Sequence, residues 1–318
     1  MFEDRQYQTD AIDYIINEPD DRRPILCAPT GSGKTVVVAK IAKHYLDQGK
    51  TFGFLTPREE ILWQNHGVTQ EICGQSNVSV FKSGEPWRSW LPIHIISWPT
   101  LRARAGKEHL LWPDVDVLAI DEAHLSLSHM MVEKVLPHYL QTKTKIFGVT
   151  ATPARKSGKG LGDFFTHIKN VTSVRQLIKD GYLAPCEYWG GKMADLTAVQ
   201  VVRGDYNEKQ LAAASAPLVG DVIDNWGRLA SERHTIVFAV NVAHCEALTE
   251  RFRTAGVSVA SLHIHKTPER RRQINEEFKR GDIQVLVNVT IASYGYDAPS
   301  VDCIVLARPT KSVVLWLQ

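Results

Sequence analysis

Three observations predict an α/β fold built from two mainly parallel sheets. First, short apolar runs alternate with helical patterns along most of the chain, the rhythm that parallel strands need for their crossovers. Second, the runs fall into two series, at 24–28, 51–55, 94–97, 117–120 and 145–150, then at 235–240, 257–262, 284–289 and 302–306. The runs are mostly apolar without alternation, as expected of strands buried on both faces. Third, the chain has 318 residues, and at roughly 150 residues per domain that length suggests two domains.

Composition narrows the class. Hydrophobic residues at 44% and charged residues at 23% exclude a disordered chain or a small disulfide-stapled scaffold. No stretch approaches the ~18 apolar residues of a membrane span, and MFEDRQYQTD has no apolar signal core. Lys plus Arg number 37 against 35 acids, so any basic surface is local. Cys27, Cys73, Cys186, Cys245 and Cys303 form no CxxC pair, which argues against a zinc site and for a reduced, cytoplasmic setting.

The first strand runs into Ala28-Pro29-Thr30-Gly31-Ser32-Gly33-Lys34-Thr35, and a helix over 35–48 follows. Strand, glycine-rich loop and helix in that order are the context of a phosphate-binding loop. Gly31 and Gly33 let backbone N–H groups turn inward, and the helix N-terminus adds partial positive charge. Lys34 is placed to reach β- and γ-phosphates, and the Thr35 hydroxyl to ligate magnesium. Pro29, Thr30 and Ser32 complete the loop. Further on, the strand 117–120 ends in Asp121 and Glu122, followed by Ala123 and His124. Asp121 suits a magnesium ion and Glu122 a general base for an attacking water. Two acids at a helix N-terminus have a simpler explanation in the helix dipole; the phosphate loop upstream favours the chemical one.

Between the series lies a weaker region, about 157–218. It opens with a glycine- and lysine-rich stretch and contains a helix over 173–180 capped by Gly181. A domain boundary is expected near 185, giving domains 1–185 and 186–318. In the second series, helices are expected over 242–255 and 268–280. The Arg270-Arg271-Arg272 run reads as a solvated helix face. His263 and His265 have no carboxylate or thiol nearby in sequence to complete a metal site.

These motifs together resemble the superfamily 2 helicases and translocases, DEAH-box type. Arg5, Tyr7 and Gln8 resemble the adenine-reading segment. Phe54-Leu55-Thr56-Pro57-Arg58 and Ser97-Trp98-Pro99-Thr100-Leu101 resemble strand-tracking motifs. Thr150-Ala151-Thr152-Pro153 resembles the motif coupling hydrolysis to domain movement, with His124 as a partner. Residues 288–297, with Gly295 and Asp297, resemble a motif touching both nucleotide and nucleic acid. Gly181-Tyr182-Leu183-Ala184-Pro185 and the stretch 298–312 are similar to RadD-like bacterial repair helicases and related phage-encoded helicases.

The resemblance implies two tandem RecA-like domains, the second truncated. It also implies ATP and Mg2+ as cofactors and coupling of hydrolysis to cleft closure and strand movement. Nucleic acid, DNA by analogy, is expected to bind without sequence specificity through Thr56, Pro57, Arg58, Ser97, Trp98, Thr100, Asn288 and Thr290. Packing in the protein is the alternative for Trp98. Tyr294 and Tyr296 depart from the usual residues. Gln318 stands where the family opens Gln-x-x-Gly-Arg-x-x-Arg, so a fragment of a longer product is expected. Lacking those arginines, a nucleotide-gated clamp with weak turnover is the alternative to a motor. An exposed apolar tail at 313–317 is a further expectation.

Overall fold

A computed structural model describes residues 5–105, 111–126, 131–153, 160–202, 205–289, 298 and 300–311. Two compact units divide the chain, one ending at Cys186 and the other starting at Glu187.

The first unit holds a seven-stranded sheet in which every pairing is parallel. Its strands are β1 Pro24–Cys27, β2 Phe52–Thr56, β3 Val78–Phe81, β4 Ile93–Ser97, β5 Val117–Ile120, β6 Lys145–Thr150 and β7 His167–Asn170. Their order is β3-β4-β2-β5-β6-β1-β7. The helices are α1 Gln6–Asn17, α2 Lys34–Asp47, α3 Glu59–Cys73, α4 Trp98–Arg104, α5 Ala123–Ser126, α6 Leu136–Gln141 and α7 Val174–Lys179.

Successive strand residues point to opposite faces, and both faces are covered. Leu26, Phe52, Phe54, Ala119 and Phe147 join one core with α1 and α2 residues such as Ala11, Ile15, Val38 and Ile41. Ile25, Leu55, Leu118, Ile120 and Ile146 join the other with Leu101, Leu136 and Tyr139. This two-sided burial is why the runs are mostly apolar without alternation. Burying each large side chain contributes about 1.5–3 kcal/mol.

The second unit carries a short antiparallel pair, β8 Val201–Val202 and β9 Asp205–Tyr206. Its main sheet has four parallel strands in the order β11-β12-β10-β13. These are β10 Thr235–Phe238, β11 Val259–Leu262, β12 Val285–Asn288 and β13 Cys303–Leu306, flanked by α8 Glu208–Ser215, α9 Val219–Ala230, α10 Val242–Thr254 and α11 Pro268–Arg280. Trp226 of α9 anchors one core and donates from Nε1 to Thr235 Oγ1 at 2.9 Å. The bounds of α11 match the sequence reading because both ends carry local signals. Thr267 accepts from the Arg270 N–H, Pro268 opens the helix, and left-handed Gly281 ends it.

Four strands escaped the sequence reading: β3, β7, β8 and β9. β3 and β7 are the outer strands of the first sheet, and β7 alternates between half-buried and exposed residues. An edge strand needs only one apolar face, so HIKN carries little signal. The expected tail at 313–317 and the motif residues Thr290, Gly295 and Asp297 lie outside the described residues. Among the described residues, no helix is long and apolar enough to cross a membrane.

Candidate nucleotide-binding site

Because the strands of the first sheet run parallel, the loops that follow them gather along its carboxyl edge. The turns after β1, β2, β4, β5 and β6 therefore meet, bringing together residues far apart in sequence.

The β1–α2 turn has Gly31 and Gly33 both at φ +80°, a region where a Cβ is strained. The space is also closed. A Cβ on Gly31 would sit 2.7 Å from Leu183 Cδ2, and one on Gly33 would run into Gln8 Nε2. α2 starts at Lys34, so its first N–H groups face the loop. Lys34 Nζ donates to the carbonyls of Ala28 at 3.2 Å and Pro29 at 3.1 Å, holding its charge over the same loop. Thr30 and Gly31 are exposed, and Pro29 is half-buried.

The acidic turn is linked to this loop by hydrogen bonds. Thr35 Oγ1 donates to Asn65 Oδ1 at 2.9 Å, and Asn65 Nδ2 donates to Asp121 Oδ2 at 2.9 Å. The other Asp121 oxygen accepts the Glu122 N–H at 2.9 Å. Burial raises the Asp121 carboxyl above its ordinary range, against the Asn65 hydrogen bond and the Lys34 charge. Burial, reinforced by the Asp121 charge, pushes Glu122 up to about 7, while Lys34 and Arg58 oppose the rise. Glu122 also sits at φ +42°, a strained setting for a residue with a Cβ.

His124 joins the third motif. Its Nδ1 lies 2.8 Å from Thr150 Oγ1 and 3.4 Å from Glu122 Oε2. The Thr150 hydroxyl donates to Thr152 O at 2.9 Å and accepts the Thr152 N–H at 3.1 Å. Its one hydrogen is thus committed to Thr152, which makes His124 Nδ1 the donor in their contact. Ala151 lies between the two threonines on the same turn and is half-buried.

At the N-terminal edge, Gln8 is buried and donates from Nε2 to Ser32 O at 3.0 Å. Tyr7 Oη donates to the same carbonyl at 2.9 Å and accepts from Arg5 Nη1 at 3.0 Å. The Arg5 guanidinium lies 4.0 Å from the Tyr182 ring centre. Several buried polar atoms in these motifs have no hydrogen-bond partner: Gln8 Oε1, Ser32 Oγ, Glu122 Oε2 and Thr152 Oγ1. Such atoms are uncommon in folded proteins and call for a ligand or solvent.

The side chains expected to touch nucleic acid fare differently. Trp98 is packed in the core with Leu101 and Phe81, so its ring does not present a base-stacking face. Thr56 is fully buried and bonds weakly to Ile96 O at 3.4 Å. Ser97 Oγ caps α4 by accepting the Thr100 N–H, and Thr100 Oγ1 accepts the Ser83 N–H at 2.9 Å. Asn288 is buried and donates to Val237 O at 3.1 Å. These polar side chains hold turns together rather than project outward; strand and helix ends need such groups to satisfy their own backbone. Pro57 and Arg58 remain half-exposed.

His263 does have a carboxylate neighbour, contrary to expectation. Glu246 Oε1, distant in sequence, accepts from His263 at 2.7 Å and from Ser261 at 2.8 Å. Among the described residues, no group of three or more potential ligands is placed to hold a metal ion on its own.

Asn65 was missed. The available signal was the helical spacing of Leu62, Asn65, Thr69 and Cys73 on α3, all four buried. An amide on an otherwise core-facing stripe must find hydrogen-bond partners. Tyr182 carries no local signal of its own, since its approach to Arg5 is a tertiary contact.

Comparisons with known proteins bear on family and fold. Residues 1–155 match the family described as "Type III restriction enzyme, res subunit", and residues 218–318 match the "Helicase conserved C-terminal domain". A 51.5 kDa protein of a Lactococcus phage is 28% identical over 92% of this chain and 60% of its own length. The putative ATP-dependent helicase IRC3 of Saccharomyces cerevisiae is 27% identical over 99% of this chain and 48% of its own. The chain thus spans about half to three-fifths of the length of these relatives. Among solved structures, S. cerevisiae Dbp5 bound to RNA and ADP BeF3 gives a TM-score of 0.62 at 17% identity, covering 95% of this chain and 74% of that one. The Pyrococcus furiosus Hef helicase domain gives 0.57 at 14% identity, covering 98% and 91%. At such identities these structures speak for the fold, an α/β architecture with RecA-like domains. Matches that reach both units, together with relatives named as helicases, make this chain similar to the superfamily 2 helicases.

Proposed function

We propose that this chain is the ATP-hydrolysing motor part of a cytoplasmic helicase or translocase of DEAH-box, RadD-like type. In this reading, residues 1–185 bind ATP, residues 186–318 belong to the second motor domain, and the strand moved is DNA. The observation that carries it is the chain of hydrogen bonds from Thr35 through Asn65 and Asp121 to the Glu122 backbone, beside the Lys34 ammonium.

The donor set suits a magnesium nucleotide. Thr35 and Asp121 offer hard oxygens, the kind Mg2+ prefers, and Ser32 Oγ is a buried hydroxyl with no partner in the loop. Thr35 and Asp121 would hold the ion, and Lys34 with the loop amides would hold phosphate. Bound Mg2+ would neutralise charge developing on the transferred phosphoryl group. Glu122 takes the proton from water. Its carboxyl, raised to about 7, is matched to base work near neutral pH. His124, fixed by Thr150, contacts the Glu122 carboxylate and ties it to the turn after β6. Asp121 and Glu122 sit on one turn but in different roles because Asn65 hydrogen-bonds and orients one, while Oε2 of the other has no hydrogen bond and only the longer His124 contact.

Nucleic acid is taken to bind along backbone phosphates. Arg58 and Pro57 are the surviving side-chain candidates in the first unit, with loop amides in place of the buried threonines. Such binding is salt-sensitive and tolerant of sequence. The test is steady-state phosphate release with and without single-stranded DNA, forked DNA and RNA, using Glu122→Gln as background. DNA stimulation well above that background is expected. Stimulation by RNA alone would move the substrate class, and background turnover with retained ATP binding would leave a nucleotide-gated clamp.

A further inference from the structure

We propose that Asn65 is a positioning residue that sets the Thr35 hydroxyl and the Asp121 carboxylate for a divalent cation. The inference rests on the nucleotide-binding reading above and extends it to a side chain outside the phosphate loop and the acidic turn.

Asn65 is fully buried on α3. Its carboxamide spends both ends on two different motifs, accepting from Thr35 Oγ1 at 2.9 Å and donating to Asp121 Oδ2 at 2.9 Å. Thr69 Oγ1 donates to the Asn65 carbonyl one turn back at 2.7 Å, fastening this part of the helix. Position 65 is 30 residues from Thr35 and 56 from Asp121, so only the fold unites the three.

The direction of each bond matters. Thr35 gives its single hydroxyl hydrogen to Asn65, which leaves the oxygen lone pairs turned away from the amide and open to a cation. Asp121 is a buried carboxylate whose two oxygens each accept one N–H, from Asn65 and from the Glu122 backbone. A carboxylate so held keeps further acceptor capacity while losing rotational freedom. No other residue type of this size is both acceptor and donor at its tip. Asp lacks the donor, Leu lacks both, and Ser is too short to span the two motifs. Partners that orient metal ligands in this way are typically worth about 10–100-fold in metal affinity.

The test uses the whole chain and a fluorescent ADP, titrated with Mg2+ or held in EDTA. For Asn65→Leu, metal-free ADP binding should stay near wild type, while the Mg2+ concentration for half-maximal enhancement should rise about 10–100-fold. In a double-mutant cycle, adding Asn65→Leu to Thr35→Val should cost much less than on the wild-type background, because Asn65 acts partly through Thr35. Should Asn65→Leu fail to fold by thermal melting, Asn65→Ser takes its place with the same expectation. An unchanged Mg2+ requirement overturns the proposal, and so does an equal loss with and without Mg2+, which would mark Asn65 as merely structural. Failure of wild-type protein to bind ADP at all would instead sink the nucleotide-site reading.

Discussion

The two parallel sheets share an architecture but finish their carboxyl edges differently. In the first unit, the turn residues after β1, β5 and β6 are knit together yet leave Ser32 Oγ, Glu122 Oε2 and Thr152 Oγ1 buried without partners. In the second, Glu246 gathers Ser261, His263 and Lys266 around one carboxylate. Burial would raise that carboxyl, but the His263 and Ser261 hydrogen bonds and the Lys266 charge bring it below its ordinary value. The first edge is polar and incomplete; the Glu246 cluster is internally satisfied, although His244 Nε2 after β10 is also buried without a hydrogen-bond partner. A parallel sheet supplies the edge; what its turns leave unsatisfied decides whether that edge needs a ligand.

The sharpest way to break this contrast is Glu122→Gln. Removing the base should lower ATP turnover by about 10²–10⁴-fold while sparing nucleotide affinity, as measured by phosphate release and by fluorescent nucleotide binding. Turnover within a few-fold of wild type would remove Glu122 from the chemistry.

Trp226→Ala tests whether the difference is local to each unit. Truncating this buried indole should destabilise the second unit by about 3–5 kcal/mol and remove one donor from the Thr235 hydroxyl, which keeps its bond to Arg233 O. Limited proteolysis should then cleave the second unit first, with ADP binding by the first preserved. Loss of ADP binding would show that the sites are not separable.

The pH dependence gives a third test. The folded Glu122 carboxyl at about 7 lies above its ordinary 4.5. A raised carboxylate contributes stability that is complete below pH 4.5 and is lost as pH climbs through 7, because only the unfolded chain ionises freely in that window. Glu122→Gln does not titrate, so its melting advantage over wild type should grow from pH 4.5 to 7 by roughly 2–3 kcal/mol. In kinetics the sign reverses, since the base must be ionised. Wild-type kcat/KM should rise with pH to a plateau above 7. A flat difference in melting across that range would put Glu122 in a more solvated setting.

The smallest effect is at Gly33→Ala. A Cβ at φ +80° costs about 1–2 kcal/mol and would displace Gln8 from Ser32. Calorimetry should report that loss, together with weaker binding of ADP. A neutral substitution would mean the turn relaxes without Gln8.

Much of this was legible from residue order. β5, β6 and α11 match the expected bounds because central strands buried on both faces are mostly apolar and because Thr267, Pro268 and Gly281 mark helix ends locally. The phosphate loop and acidic turn were legible because glycine register and strand-end carboxylates are local patterns. The edge strand β7 was not, since half of an edge strand can be polar, and β3 is a run of only four residues broken by Ser79. Nor was the inward turn of Thr56, Ser97, Trp98, Thr100 and Asn288 legible. Those residues match motifs by name, but Trp98 packs in the core and the hydrogen bonds of the others go to a cap, a turn or a neighbouring strand.

The sequence by itself determined that two series of buried parallel strands would form, and which turns would carry glycine, lysine and paired acids. Periodicity and backbone freedom act within a few residues, so a linear reading captures them. Only the tertiary structure decided that an asparagine on α3 would join Thr35 to Asp121, that Tyr182 would lie against Arg5, and that Glu122 would sit desolvated beside a second acid. Those outcomes depend on burial and on hydrogen-bond geometry between distant segments. Both come into being when the parallel strands bring their carboxyl ends to one edge.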